Sequence, residues 1–388
     1  MDVQFLGTGG PDGWPQAGCR CASCLRATAA GRGRSPGGVL VDGRLRIDLG
    51  RPPRPADRDC PPVVPNAVGG QGSAAGYRTE PLPGGWDITG PEGARLLVAA
   101  AAGAAPDPPA GTRPFDMVLL DLLDSAAQLG ALRARGLVRA DTVAAVLCAD
   151  HRISSEQELA RRCRIWRAVV PADGTTLSTS DPAPGSAASP APGCAAVIAH
   201  RTLVLGGARS GKSREAELRL AAEPQVTYLA AGPWPDGAQT GSPDERDGRD
   251  AEWAQRVAAH QAARPAWWPT VESTDVAGAL RRLRGAVLID GIGTWLAAVM
   301  TEAGAWRQPT PADASGRIAA RLDELIAAWR QTSARVVAVS DEVGSGVVPA
   351  TSAGRQFRDQ LGWLNQRLAA ESEETVLVVA GRVLSLPT

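Results

Sequence analysis

The residues Gly206-Gly207-Ala208-Arg209-Ser210-Gly211-Lys212-Ser213 fit the spacing G-x-x-x-x-G-K-[ST]. Glycines at such a turn let successive backbone N–H groups point at a phosphate without Cβ clashes, and the following helix N-terminus adds its dipole. In this arrangement Lys212 reaches the β- and γ-phosphates and the Ser213 hydroxyl holds Mg²⁺. Of 41 Lys+Arg, Lys212 is the single lysine. An ammonium is a compact, strongly hydrated point charge and a guanidinium a planar fork, so a chain that otherwise uses arginine keeps lysine where the point charge is needed. Val287-Leu288-Ile289-Asp290 supplies a second apolar strand ending in a carboxylate, placed to bind Mg²⁺ through water.

Two further constellations carry chemistry. Glu252, Arg256, His260 and Arg264 are each four apart and stack on one face of a helix that Pro265 ends. One reading is a solvated face with ordinary i,i+4 ion pairing. The other is an imidazole flanked by arginines, a nucleophile at phosphorus with cations that neutralise the phosphate oxygens. At the other end, Cys19-Arg20-Cys21-Ala22-Ser23-Cys24 has metal-ligand spacing.

The elements that must position these groups fall into two series. In the first, Val3–Gly7, Gly38–Val41, Leu45–Leu49, Met117–Leu123 (interrupted by Asp121) and Ala144–Leu147 are apolar runs with strand character. Helical stretches lie near Ser125–Arg135 and Ser154–Arg162, and residues 51–115 are rich in Pro and Gly with weak periodicity. Ser178–Gly193 has almost no apolar bulk and cannot build a core. Beyond it, Thr202–Leu205, Val226–Ala230, Ala286–Asp290, Arg335–Ser340 and Thr375–Val379 alternate with helical segments, the pattern of a mostly parallel, helix-covered α/β sheet. The expected division is a first domain over 1–172, a Pro/Ala/Ser-rich linker over 173–199 and a P-loop domain over 200–388.

Composition narrows the class. The chain has 388 residues, 44% hydrophobic and 21% charged, with a formal net charge of zero. No global basic field exists to hold nucleic acid. The run Leu96–Ala105 is too short to span a bilayer, and Met1–Leu6 lacks the features of a signal peptide. A cytoplasmic enzyme without membrane insertion is expected, its seven cysteines arguing against a disulfide framework.

The P-loop, the string Glu252…Arg256…His260…Arg264-Pro265 with Trp268-Pro-Thr270-Val-Glu272, the block Ser340–Pro349 and the block Arg355–Gln366 occur in that order. Together they resemble the bifunctional adenosylcobinamide kinase/guanylyltransferases of cobalamin biosynthesis, over essentially all of 201–388. The resemblance implies a two-step enzyme. ATP or GTP phosphorylates the aminopropanol hydroxyl of adenosylcobinamide; GTP then guanylylates a histidine, matched by His260, and GMP passes to the phosphorylated cobinamide. It further implies Lys212 and Asp290 as catalytic partners, Arg256, Arg264 and Glu272 among the nucleotide contacts, and a homo-oligomer, a trimer in the family. Three departures stand out. Gly291-Ile292-Gly293 follows Asp290 where the family runs Cys-Leu-Thr; Asp341 replaces the family's Asn; and residues 232–249 are longer than usual. A P-loop kinase of another small alcohol, or a nucleotide-binding regulator that has lost transfer chemistry, are the alternatives.

In the first series, Val3–Gly10 followed by Cys19, Cys21 and Cys24 resembles the opening of the phosphodiesterase-like metallo-β-lactamase fold. That resemblance implies a structural Zn²⁺ on the three thiolates, completed by His151. The fold's His-x-His-x-Asp-His cluster is missing, Cys148 stands where a metal-binding histidine is expected, and Asp121 is either a relic bridging carboxylate or an ordinary strand end. Two-metal hydrolysis needs several convergent ligands, so a degenerate, hydrolytically inactive α/β domain is expected.

Overall fold

In a computed structural model the described residues are 1–49, 64–67, 76–82, 85–100, 106–181, 200–232 and 264–387. The chain divides into two compact units, Met1–Ala195 with Ala221–Pro224, and Ala196–Leu220 with Gln225–Thr388.

Along the first unit run β1 (Asp2–Gly7), α1 (Ala22–Ala29), β2 (Gly38–Val41), β3 (Leu45–Asp48), β4 (Val64–Ala67), β5 (Arg78–Leu82), β6 (Gly85–Thr89) and β7 (Arg95–Ala99). They are followed by β8 (Met117–Leu120), α2 (Ala127–Ala134), β9 (Val143–Val146), α3 (Glu156–Trp166) and β10 (Thr176–Ser178). The strands form two sheets, in the orders β10-β1-β2-β3-β4 and β5-β6-β7-β8-β9. Val3, Phe5, Val39, Val41 and Ile47 of one sheet share a core with Ile88, Leu96, Val98, Met117 and Leu119 of the other. In β1 the burial alternates residue by residue, as a sheet with one wet face requires. β7 and β8 are instead buried throughout and pair in parallel. Strands β4 to β7 lie within the Pro- and Gly-rich stretch of weak periodicity, residues 51–115.

The first unit also continues past 172. Asp173 accepts hydrogen bonds from the Thr8 amide (2.8 Å), the Thr8 hydroxyl (2.6 Å) and the Ser35 amide (2.6 Å), and β10 pairs antiparallel with β1. A short Thr-Leu-Ser strand with one apolar residue gives no periodic signal, so the linker expectation began too early; residues 182–199 lie outside the described residues.

The second unit contains β11 (Arg201–Gly206), α4 (Lys212–Leu220), β12 (Val226–Ala230), β13 (Thr270–Glu272), α5 (Val276–Arg282), β14 (Ala286–Asp290) and α6 (Ile292–Glu302). It ends with α7 (Ala314–Gln331), β15 (Arg335–Asp341), α8 (Ser352–Ala370), β16 (Glu374–Val379) and β17 (Arg382–Leu386). These strands make a seven-stranded sheet among the described residues, ordered β13-β12-β14-β15-β11-β16-β17. Every pairing is parallel except the β16–β17 hairpin. Alternate residues serve two cores. Leu203, Leu205, Val287 and Ile289 pack with α5, α6, α7 and α8, whereas Val204, Leu288, Val337 and Val376 pack with Ala216 and Leu220 of α4. Burial on both faces explains why these strands read as unbroken apolar runs. The strands of the parallel sheet all end on one side, where the loops between β11 and α4, β14 and α6, and β15 and α8 converge. No helix among the described residues is long and apolar enough to cross a membrane.

Candidate functional site

The phosphate cradle begins where β11 ends. Gly206 is paired with Asp341 across the sheet, and a Cβ at Gly206 would come 2.4 Å from the Ser210 hydroxyl and 2.8 Å from the Val378 carbonyl. Only glycine permits that closure. Arg209 (φ 55°) and Gly211 (φ 98°) adopt the left-handed conformation that turns the loop, and the Glu215 amide donates to the Gly211 carbonyl at 3.0 Å as the helix starts. From behind, the Gly381 amide of the β16–β17 turn donates to the Ser210 carbonyl at 2.8 Å. The Lys212 ammonium lies 2.9 Å from Asp341 Oδ1 and donates to the Gly207 carbonyl at 3.3 Å.

Asp290 closes β14, two strands away from β11. One of its oxygens accepts from the Tyr228 hydroxyl of β12. The Arg264 guanidinium lies over the Tyr228 ring, 3.7 Å from its centroid, and donates to the Thr270 hydroxyl at 3.0 Å. Its other terminal nitrogen is buried without a hydrogen-bond partner among the described residues. Glu217, on the first turns of α4, is pushed up to about 7 by burial and then by the negative charge of Asp290. Tyr228 and Glu217 were not singled out in the sequence. Tyr228 looked like one more strand residue, although it is one of only two tyrosines in the chain.

The predicted site residues thus divide. The cradle 206–213, with Lys212 and Ser213, and Asp290 face the sheet's C-terminal side. Arg264 joins Asp290 through Tyr228, whereas Glu272 ends β13 at the sheet edge and is exposed. His260, Arg256 and Glu252 lie outside the described residues. The oxygen donors Ser213 and Asp290 suit Mg²⁺ by their chemistry.

In the first unit, Gly9 bridges to both Pro36 and Ala149, and the Gly10 amide donates to the Ala149 carbonyl at 2.9 Å. This pairing brings the cysteine loop beside His151. The Ser23 hydroxyl donates to the Ile153 carbonyl at 2.6 Å and accepts from the Trp14 indole at 3.1 Å, fixing the start of α1, which Cys21 caps. One ligand atom from each of Cys19, Cys21, Cys24 and His151 lies within 4.8 Å of the others, a set suited to tetrahedral zinc. Burial, followed by the neighbouring thiols, raises the Cys24 thiol to about 11. Nearby, Asp121 (4% exposed), Asp124 and Asp150 do not stand open. The Arg152 guanidinium reaches them at 2.7, 2.7 and 3.0 Å respectively. Cys148 is buried in a left-handed conformation (φ 60°), its thiol pushed up to about 12 by burial.

Residues 202–386 match the family described as cobinamide kinase / cobinamide phosphate guanyltransferase. The bifunctional adenosylcobalamin biosynthesis protein CobU of Salmonella typhimurium is 38% identical over 187 residues, 46% of this chain and 95% of the relative. The chain belongs to this family. Similar relatives are CobP of Pseudomonas aeruginosa, 35% identical over 48% of this chain and 96% of its own, and CobU of Escherichia coli, 36% identical over 46% and 95%. A solved structure of Zn²⁺-bound PqqB from Methylobacterium extorquens aligns with 46% of this chain and all of its own, at 16% identity and a TM-score of 0.30; at that score the likeness carries no argument.

Within the cobinamide kinase/guanyltransferase frame, two of the departures meet in space. A Cβ at Gly293 would come 2.9 Å from Asp341 Oδ2. Gly291 takes φ 92° as it leads into α6, a conformation that suits glycine. The longer 232–249 segment lies, beyond Gly232, outside the described residues.

Proposed function

We propose that this chain phosphorylates adenosylcobinamide with ATP or GTP, then transfers GMP from GTP through a guanylylated His260, yielding adenosylcobinamide-GDP in cobalamin biosynthesis. The observation that carries the reading is the cradle: the chain's one lysine at the head of α4, with the Asp290 carboxylate at the end of β14, in a segment that matches the family over 202–386.

In the first step the acceptor hydroxyl oxygen bonds to the γ-phosphorus as the bond from γ-phosphorus to the β–γ bridging oxygen breaks, the nucleoside diphosphate leaves, and the hydroxyl proton passes to water. Lys212 and the loop amides hold the β- and γ-oxygens. Mg²⁺ held by Ser213 and, through water, by Asp290 would neutralise charge on those oxygens. In the second step a neutral ring nitrogen of His260 bonds to the α-phosphorus of GTP and pyrophosphate leaves. A phosphate oxygen of the phosphorylated cobinamide then takes the GMP group and frees the imidazole. Arg256, Arg264 and Glu272 are read as nucleotide contacts; for Arg264 the support is a buried terminal nitrogen without a hydrogen-bond partner, on a guanidinium that lies over Tyr228.

The first unit we read as a degenerate metallo-β-lactamase-like module. Support comes from two facing sheets, the Cys₃His cluster suited to a structural Zn²⁺, and the Arg152 guanidinium among carboxylates where a hydrolase would keep metals. A cytoplasmic homo-oligomer, with division near the 182–199 segment, completes the proposal.

The test is incubation with Mg²⁺ and α-labelled GTP, followed by denaturation. Acid-labile, alkali-stable label on the wild type but not on His260→Ala, transferable to adenosylcobinamide phosphate, is the expected result. A folded, GTP-binding wild type that takes no label would leave a simple kinase.

A further inference from the structure

The backbone of Asp341 is held by one hydrogen bond of its own and by those of its two chain neighbours. The Asn365 amide, 5% exposed, donates to the Asp341 carbonyl at 3.1 Å, and the Ser340 hydroxyl donates to Asn365 at 2.6 Å. The Glu342 amide donates to the Gly206 carbonyl at 3.1 Å. With its backbone tied to the strand on one side and to α8 on the other, Asp341 has only side-chain torsions left to move. Its carboxylate therefore stays at the cradle whether or not nucleotide is there. Oδ1 takes the Lys212 ammonium at 2.9 Å, while Oδ2 fills the space that Gly293 leaves open. The ammonium's remaining contact, 3.3 Å from the Gly207 carbonyl, keeps it folded across its own loop.

We propose that Asp341 is a resident anion of the phosphate cradle, which the terminal phosphates of a nucleoside triphosphate must displace from Lys212. The inference rests on the cradle reading above and adds a determinant of nucleotide selectivity to it. An incoming phosphate gains the ammonium only by breaking an existing ion pair, and the displaced carboxylate remains close enough to repel it. Both effects weaken binding, and both act only on phosphates that reach Lys212. A P-loop lysine contacts the β- and γ-phosphates, so a nucleoside monophosphate escapes the penalty. The pair is partly solvated, with side chains 16% and 41% exposed, which limits its size. Asparagine at this place would carry no charge to displace. Glycine at 293 and aspartate at 341 then work as a pair: the first leaves the room that the second's oxygen uses.

Equilibrium binding of GTP with Mg²⁺, and of GMP, decides the matter, measured by titration calorimetry on the full chain as wild type, Asp341→Asn and Lys212→Ala. Asp341→Asn is expected to bind GTP roughly 5-fold more tightly and GMP within about 2-fold of wild type. Equal GTP affinity, or weaker binding by a well-folded Asp341→Asn protein, overturns the inference; the weaker case would make the carboxylate part of the cation's seat instead. Lys212→Ala is expected to lose GTP binding. If it binds GTP as well as wild type does, or if neither wild type nor Asp341→Asn binds GTP, the cradle reading itself falls. A wild type that fails while Asp341→Asn binds is the strongest support.

Discussion

The guanidinium of Arg152 lies 2.7 Å from the carboxylate of Asp121, whose side chain is only 2% exposed. Burial raises the Asp121 carboxyl above its ordinary range, and Arg152 works against that rise. Removing one member of such a pair leaves an uncompensated charge in a poor solvent. Arg152→Ala should therefore destabilise the first unit by about 3 kcal/mol, measured by urea unfolding with the fluorescence of Trp166 or Trp14 as probe. A loss below about 1 kcal/mol would mean that Asp121 simply takes up a proton.

Asp173 gives a pH signature. Burial opposes its ionisation, yet donors from Thr8 and Ser35 outweigh burial and hold the carboxyl below the usual range. A depressed folded-state value contributes stability that is present above the unfolded value of about 3.9 and is lost as pH falls through the folded value. The thermal midpoint of the first unit should fall on acidification through that window. In Asp173→Asn the fall should be shallower, and Asp173→Ala should cost about 3 kcal/mol at neutral pH. Identical acid profiles for wild type and Asp173→Asn would remove the carboxylate from this account.

Zinc content tests the cysteine loop. Protein purified without chelator should carry one equivalent of zinc by elemental analysis, and Cys24→Ser or His151→Ala should carry substantially less. A structural site contributes folding energy directly, so chelation should lower the unfolding temperature of the wild type and leave the variants unmoved. Metal-free wild-type protein grown with ample zinc would reduce the cluster to three thiols near an imidazole.

Tyr228 is a positioning residue in this reading. Tyr228→Phe keeps a ring under Arg264 but removes the donor to Asp290. The Mg²⁺ concentration for half-maximal GTP binding should rise roughly 5-fold, the equivalent of one ordinary hydrogen bond, with little change in the binding of metal-free nucleotide. Tyr228→Leu also loses the face on which Arg264 rests and should weaken both. An unchanged Mg²⁺ dependence in Tyr228→Phe would leave the hydroxyl without a role.

Which parts were legible follows from how local their causes are. The cradle was readable because a phosphate loop needs glycine at fixed offsets and one ammonium, and both requirements sit within eight consecutive residues, 206–213. The parallel sheet was readable because strands buried on both faces must be apolar throughout. Arg152 was not, since one arginine among many gives no sign that Asp121 and Asp124, about thirty residues earlier, will join neighbouring Asp150 on it. Nor was the Gly293–Asp341 approach, because Gly293 sits in the first turn of α6 and Asp341 at the end of β15, and the two meet only when β14 and β15 pair. Strands β5 and β6 were missed for another reason: their largely exposed or mixed faces blur the alternation that a half-buried sheet normally shows.

The scarcity of lysine has a practical consequence. Lys212 bears the chain's only side-chain amine, and its ammonium is enclosed between a carboxylate and a carbonyl. Reagents that acylate amines and ignore guanidinium groups find one side-chain target in 388 residues. The rate at which that single peptide is modified becomes a clock for how often the cradle opens, readable by mass spectrometry without engineering a probe into the protein.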